Sequence, residues 1–243
     1  SAARRWMEEE PLPYNGTIVR TFRRRTADAR LGVVSARGGD PVWVPLMGSA
    51  GSVQGTAEGQ LLFDETSPDR KSRFIRLFDP ATHSVRTLWG DHDPAWWSVT
   101  GRDSRTVISP DGRQVAFVSD RTGWPHIYVI PVDATSESAA IQLSSGSFGA
   151  GLPSWSRDGS RIAFHHSADG NQMERFISVV DLSSRGVTPA VTAPGVNYDP
   201  RLSPDGTRVL FLRTDPQNSQ DVYVAEVGGA GPVESRDGLV RLS

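Results

Sequence analysis

Polar and apolar residues alternate in two neighbouring stretches of the chain, 114–119 and 126–132. In the first stretch Val115 and Phe117 fall on the same face. A period of two, carried by β-branched and aromatic residues, predicts half-buried β-strands. Residues 109–112 read Ser-Pro-Asp-Gly, and each of these residue types favours a tight turn. The pattern therefore predicts a turn followed by two strands.

The same pattern returns twice at a constant spacing. The turns begin at Ser109, Ser156 and Ser203, and each serine lies 47 residues after the previous one. The same step relates the residues Phe117, Phe164 and Phe211, and the residues Pro153 and Pro200. A period of 40 to 50 residues with four short strands in each unit predicts the blades of a β-propeller.

The register leads to two local expectations. The three repeated phenylalanines should occupy equivalent buried sites between neighbouring blades, because they fall on the apolar face of each strand. Gly112, Gly159 and Gly206 should have positive φ, because the residue that follows a type I turn in such a hairpin is left-handed.

The chain is thus predicted to be all-β, a β-propeller of four-stranded antiparallel blades, with about five blades visible. Residues 1–16 form an entry segment, and residues 49–56 form a Gly/Ser linker. The predicted blades are 17–48, 57–91, 97–145, 150–194 and 197–243. Five blades can close into a ring, and six to eight would be present if further residues belong at either end. The chain opens on Ser1 and not on Met, so a leader or another upstream segment is expected.

Composition narrows the classes of function. The net charge of −2 gives no excess of basic residues of the kind that binds a nucleic acid. No apolar run reaches 18 residues, so no membrane span is predicted. There is no cysteine, which excludes disulfides, zinc–thiolate sites and a cysteine nucleophile. Two histidine-containing motifs, Asp91-His92-Asp93 and His165-His166, lack supporting ligands at useful spacings, and neighbouring strand residues point to opposite faces. No metal and no cofactor is predicted.

The repeat resembles a known family. Residues 109–124 read SPDGRQVAFVSDRTGW, and Ile127-Tyr128-Val129 follow. This sequence is similar to the repeat of TolB-type propellers and of the N-terminal propeller in prolyl oligopeptidase (S9) serine peptidases. Trp124, followed by the His126–Val129 stretch, favours the peptidase branch. The resemblance is strong over 97–227 and loose over 57–96.

The resemblance implies a substrate-gating role. In S9 peptidases the propeller covers an α/β-hydrolase domain and restricts entry to oligopeptides, and the catalytic serine lies in a G-x-S-x-G elbow. This chain contains no G-x-S-x-G, so no catalytic residue is predicted and the chain alone should not hydrolyse peptides. In the dipeptidyl-peptidase branch a glutamate pair holds the substrate's amino group, which makes Glu8 and Glu9 candidate substrate-binding residues, together with Trp124.

Two other functions compete with this one. A TolB-like propeller would dock a partner protein instead of a peptide substrate, without any hydrolase domain. A sialidase-type propeller fits less well, because its S-x-D-x-G box separates Asp from Gly, whereas the two residues are adjacent in all three copies here. The resemblance indicates a bacterial protein and leaves open whether it is periplasmic, secreted or cytoplasmic.

Overall fold

The repeated turn closes one strand pair in each of three sheets. In the copy at Ser109, the serine hydroxyl donates to Asp111 (2.5 Å) and accepts from the backbone N–H of Gln114 (2.9 Å). The copies at Ser156 and Ser203 make the same bonds. The three turn glycines have φ of 73°, 74° and 69°, as predicted. The hydroxyl and amide donors lower the pKa of Asp158 and of Asp205 to about 2, because they stabilise the charged carboxylate.

The computed structural model describes residues 30–95, 103–168, 170–229 and 231–242, together with the backbone of two short strands. Those strands, β1 (Leu12–Tyr14) and β2 (Thr17–Val19), pair antiparallel within a unit of the chain, Ser1–Leu31, that is compact in itself. The second unit, Gly32–Ser243, contains everything else. It begins with a two-stranded pair, β3 (Gly32–Val33) and β4 (Val42–Trp43).

Four antiparallel four-stranded sheets follow, each with its strands paired in chain order. Sheet one contains β5 (Ser49–Gly55), β6 (Leu61–Thr66), β7 (Ser72–Asp79) and β8 (Ser84–His92). Sheet two contains β9 (Val107–Ile108), β10 (Gln114–Ser119), β11 (His126–Pro131) and β12 (Ile141–Gln142). Sheet three contains β13 (Ala150–Trp155), β14 (Arg161–Ala168), β15 (Asn171–Asp181) and β16 (Val187–Val191). Sheet four contains β17 (Val196–Leu202), β18 (Arg208–Asp215), β19 (Asn218–Glu226) and β20 (Val240–Arg241).

Two short 3-10 helices, Glu137–Ala139 and Arg236–Gly238, precede the last strands of sheets two and four. A parallel pair, Arg175 with Val196, joins sheet three to sheet four, and a parallel bridge links Val191 of sheet three to Val233, which precedes β20. No helix in the described part of the chain is long and apolar enough to cross a bilayer. The predicted fold class, an all-β propeller of four-stranded antiparallel sheets, is confirmed.

The prediction of a linker at 49–56 was wrong. Residues 49–55 form β5, which pairs with β6 and completes sheet one. The sheet also has a hairpin turn at this point, although it lacks the Asp-Gly pair: Gly59 takes a φ of 78° and donates to the carbonyl of Thr56. The small, polar residues of β5 hid the strand, because a strand with little apolar alternation gives no period to read.

Another copy of the turn sits at the opposite end of sheet one. Ser67-Pro68-Asp69-Arg70 joins β6 to β7, and its serine hydroxyl bonds Asp69 at 2.5 Å and the N–H of Ser72 at 3.0 Å. Arg70 holds the left-handed position with φ of 60°, where the other copies have glycine. Side-chain hydrogen bonds therefore specify the turn even without its glycine.

The repeated phenylalanines lie between neighbouring sheets, as predicted. Phe117 packs with residues of sheets one and two, Phe164 with residues of sheets two and three, and Phe211 with residues of sheets three and four. All three are fully buried. Each of these three clusters therefore includes a phenylalanine ring from the second strand of the later sheet.

The far face of sheet four differs from those of the preceding sheets. Ala116 and Ala163 stand one repeat apart and are both fully buried. The next equivalent position is Leu210, which is 38% exposed and pairs across the ladder with Val224. Sheet four therefore presents apolar side chains where sheets two and three are covered by the sheet that follows.

Candidate functional site

The loop from Asp120 to Pro125 carries Trp124 and joins β10 to β11, the second and third strands of sheet two. Gly123 takes φ of 97° and donates its N–H to the carbonyl of Asp120 at 2.8 Å, which closes the loop. Trp124 follows directly and is 38% exposed. Trp124 therefore lies on the loop between the second and third strands of sheet two.

Arg121 fastens this loop to the last strand of sheet one. Its guanidinium carbon lies 3.3 Å from the ring centroid of Trp89, and its Nη2 donates to the carbonyl of Gly90 at 2.9 Å. It also contacts Glu137 at 3.2 Å. A cation over an indole face and a charge-assisted hydrogen bond both hold the loop in place. The loop that carries Trp124 is thus held against sheet one by Arg121.

An acidic groove of about 500 Å³ lies beside the loop. The carboxylate of Asp91 accepts hydrogen bonds from the Trp89 indole (3.0 Å) and the Ser119 hydroxyl (2.8 Å), which gives Asp91 a structural role. Burial raises the pKa of Asp120, and the negative charges of Asp91 and Asp93 raise it further. Arg121 also lines the groove, so three aspartates face one arginine, and the net negative charge attracts a cationic group.

The Asp91-His92-Asp93 motif lies on the wall of this groove. Within the described ranges, no three His, Asp or Glu side chains are placed to hold one metal ion. His92 instead bonds the hydroxyl of Ser72 through Nδ1 at 2.8 Å.

His165 and His166 point to opposite faces of sheet three, as expected for neighbouring strand residues. His165 is buried, and its Nε2 lies 3.6 Å from the carboxylate of Asp103 in a cavity of about 300 Å³. His166 lines a second cavity of about 430 Å³ on the other side. Gly151 is required beside the first cavity, because a Cβ there would lie 2.8 Å from Cβ of Asp103.

Bulges in the first strands were missed by the sequence reasoning. Ser52, Leu152 and Asp199 all have left-handed φ, of 47°, 48° and 51°, at points where the strand register shifts. Pro153 and Pro200 directly follow two of them. The 47-residue spacing of these prolines was the available signal. Non-glycine residues with positive φ are uncommon, so a repeated bulge of this kind marks a specified feature of the strands.

The bulge in sheet four carries a charge cluster. The carboxylate of Asp199 lies 2.8 Å from Arg105 of the segment before β9 and 3.1 Å from Arg201. Burial lowers the pKa of Arg201, and the charge of Arg105 adds to this shift. One carboxylate therefore holds two guanidinium groups together and links the segment before sheet two to the first strand of sheet four.

The other predicted site residues, Glu8 and Glu9, lie outside the described residues. The structure brings together the Trp124 loop, the acidic groove and the end of sheet one. The Arg105–Asp199–Arg201 cluster and the His165 cavity were not anticipated.

Four-stranded antiparallel sheets that pack face to face through an in-register repeat define a β-propeller. Residues 28–220 match the model of one family, described as the dipeptidyl peptidase IV (DPP IV) N-terminal region. The chain belongs to this family.

Similar proteins fall into two groups. The Tol-Pal system protein TolB of Helicobacter pylori is 26% identical over 165 residues, which cover 67% of this chain and 39% of that protein. Dipeptidyl peptidase 4 of Porphyromonas gingivalis superposes with a TM-score of 0.65 at 14% identity, over 86% of this chain and 29% of that one. TolB of Acinetobacter baumannii superposes with a TM-score of 0.56 at 16% identity, over 88% and 48%. The chain thus spans less than half the length of these relatives.

Proposed function

We propose that this chain is the substrate-access propeller domain of an S9-type serine peptidase. The observation that carries the proposal is Trp124, a half-exposed aromatic residue on a fixed loop beside an acidic groove, in a chain of the DPP IV N-terminal family. A peptide offers apolar side chains for an indole and an ammonium group for carboxylates. An oligopeptide therefore matches both parts of this surface.

Hydrolysis in this proposal belongs to a separate α/β-hydrolase domain. The sequence contains no G-x-S-x-G elbow, and a serine nucleophile needs an adjacent base and an oxyanion site. The contribution of the chain is then to admit, orient or exclude peptides.

The proposal includes a further sheet packed on sheet four. Its support is the exposed face around Leu210, at the position where Ala116 and Ala163 are covered by the next sheet. A further sheet would bury this face in the same way, and a propeller of six to eight blades would need two to four sheets besides the four described ones.

A second candidate is a TolB-like module that docks a partner protein. The matches to Tol-Pal system TolB proteins support it, and all of the relatives named above are bacterial. On this reading the Trp124 loop is a protein-binding surface, because exposed tryptophan is enriched at interface hot spots. We place the protein in the bacterial periplasm in either case, a proposal that rests on the TolB relatives.

Replacing Trp124 by alanine tests the peptide surface. We expect the peptide Ala-Tyr-Ala-Ala, titrated calorimetrically, to bind the Trp124→Ala variant at least about tenfold more weakly than the unaltered chain, a loss of about 1.4 kcal/mol. The matched control is Trp43→Ala, which removes another exposed indole, on β4. Equal dissociation constants for the unaltered chain and Trp124→Ala would contradict the peptide role and favour the partner-docking candidate.

A further inference from the structure

The cavity beside His166 is walled by aromatic rings. His166 lies 4.7 Å from Phe148, 5.9 Å from Phe164 and 6.0 Å from Phe176, measured between ring centroids. The cavity volume of about 430 Å³ is in the range of small-molecule sites, roughly 300–1,000 Å³. Rings that surround a cavity favour a flat apolar ligand, because aromatic pairs gain from offset and edge-to-face packing.

The cavity is polar in places but carries no charge. Nδ1 of His166 lies 3.0 Å from the carbonyl oxygen of Ser167, so this nitrogen must donate, and Nε2 lies 2.9 Å from the Ser178 hydroxyl, from which the neutral ring accepts. Burial lowers the pKa of His166, which favours the neutral form of the imidazole. None of the described residues that line the cavity is Asp, Glu, Lys or Arg. A charged ligand group would therefore find no counter-charge here.

Two hydroxyl groups remain for a ligand. The side chains of Ser145 and Thr192 line the cavity and make no hydrogen bond to another residue in the described part of the chain. A hydroxyl both donates and accepts, so each can pair with a phenol. The cavity thus matches an aromatic ring that ends in one uncharged polar group.

The segment from Gly146 to Ala150 packs against the Phe148 ring and is hydrogen-bonded to the loop that carries Trp124. Gly146 has φ of 137°, and a Cβ there would lie 2.5 Å from the Phe148 ring, so only glycine lets the ring fold over this point. The N–H of Ala150 donates to the carbonyl of Pro125 at 2.7 Å, directly after Trp124. The aromatic cavity therefore adjoins the surface assigned above to peptides.

We infer that this cavity is a binding site for the phenol side chain of a tyrosine in a bound peptide. That the ligand is a peptide rests on the proposed function. That the side chain bound here is a tyrosine rests on the aromatic walls, the uncharged lining and the two hydroxyl groups of the cavity.

The probe for this site is p-cresol, the side-chain analogue of tyrosine. We expect saturable binding of p-cresol to the chain by ligand-observed NMR, and competition by Ala-Tyr-Ala-Ala but not by Ala-Ala-Ala-Ala. Val187→Trp should weaken p-cresol binding at least tenfold, because Val187 is an exposed residue on the cavity wall and an indole there fills the space. Val240→Trp is the matched control, since Val240 is also exposed but does not line the cavity.

Three results would overturn the inference. The first is that p-cresol shows no saturable binding, and the second is that Val187→Trp and Val240→Trp weaken p-cresol binding equally. The third is that p-cresol binds but Ala-Tyr-Ala-Ala fails to displace it. Failure of the proposed function looks different: Trp124→Ala would leave peptide binding intact, while Val187→Trp would still abolish p-cresol binding. Circular dichroism of both tryptophan variants confirms that they are folded.

Discussion

Replacing Phe117, Phe164 or Phe211 by alanine is expected to lower the free energy of unfolding by about 3–5 kcal/mol in each case. Each ring is fully buried between two sheets, and its removal leaves a cavity that strands fixed by ladder hydrogen bonds cannot close. The effect should be similar at the three sites because their environments are equivalent. Chemical denaturation of the three variants measures it.

Leu210→Ala is the control for this series. Leu210 is next to Phe211 on the same strand, but its side chain is on the exposed face of sheet four. We expect a smaller loss there, about 1–2 kcal/mol, because 38% of Leu210 stays exposed in the folded chain whereas the three phenylalanines are fully buried. Losses below about 1 kcal/mol at all three phenylalanines would show that the 47-residue register does not describe the packing.

Arg73→Met is expected to cost a similar amount, about 3–5 kcal/mol. Arg73 is 1% exposed, and its guanidinium donates to the carbonyl of Val118 and the hydroxyl of Thr106, both at 2.7 Å. It also pairs with Asp64 at 3.3 Å. Methionine fills much of the same space but leaves the carboxylate without its cation and the carbonyl without its donor. Uncompensated buried groups of this kind are costly.

Two further variants show whether the loss comes from the unpaired carboxylate. Asp64→Leu combined with Arg73→Met should be less destabilised than Arg73→Met alone, because the orphaned charge is gone. Arg157→Met, at an exposed turn residue, should change stability by less than about 0.5 kcal/mol. If Arg73→Met behaved like Arg157→Met, the guanidinium would not be a structural link between sheets one and two.

The sequence was informative wherever structure follows from nearby residues. The three Ser-x-Asp-Gly turns were predictable because serine, aspartate and glycine within four residues close their own hydrogen bonds. The burial of Phe117 and its equivalents was predictable because strand alternation fixes which face a side chain takes. The Trp124 loop followed from the two strands on either side of it.

Other features depend on residues far apart in the chain. Arg73 looks like a surface residue between two strand positions, and only the packing of sheet one on sheet two shows that it is buried with Thr106. Arg105 and Asp199 are 94 residues apart and meet through the bulge in β17. The turn at Ser67 was missed because arginine occupies its glycine position. The ring-lined cavity needed Phe148, Phe164 and Phe176 from three separate segments.

The most direct test of the account is labelling with a fluorophosphonate probe, which reacts with activated serines. The purified 243-residue chain and the native gene product from its source would be treated in parallel, and the intact mass of each determined. We predict that the chain stays unlabelled and turns over no dipeptidyl chromogenic substrate, because it has no serine elbow, whereas the native product is larger and takes up one label on a serine outside this chain. Labelling of the chain itself, or a native product that takes up no label, would contradict the assignment to a serine peptidase.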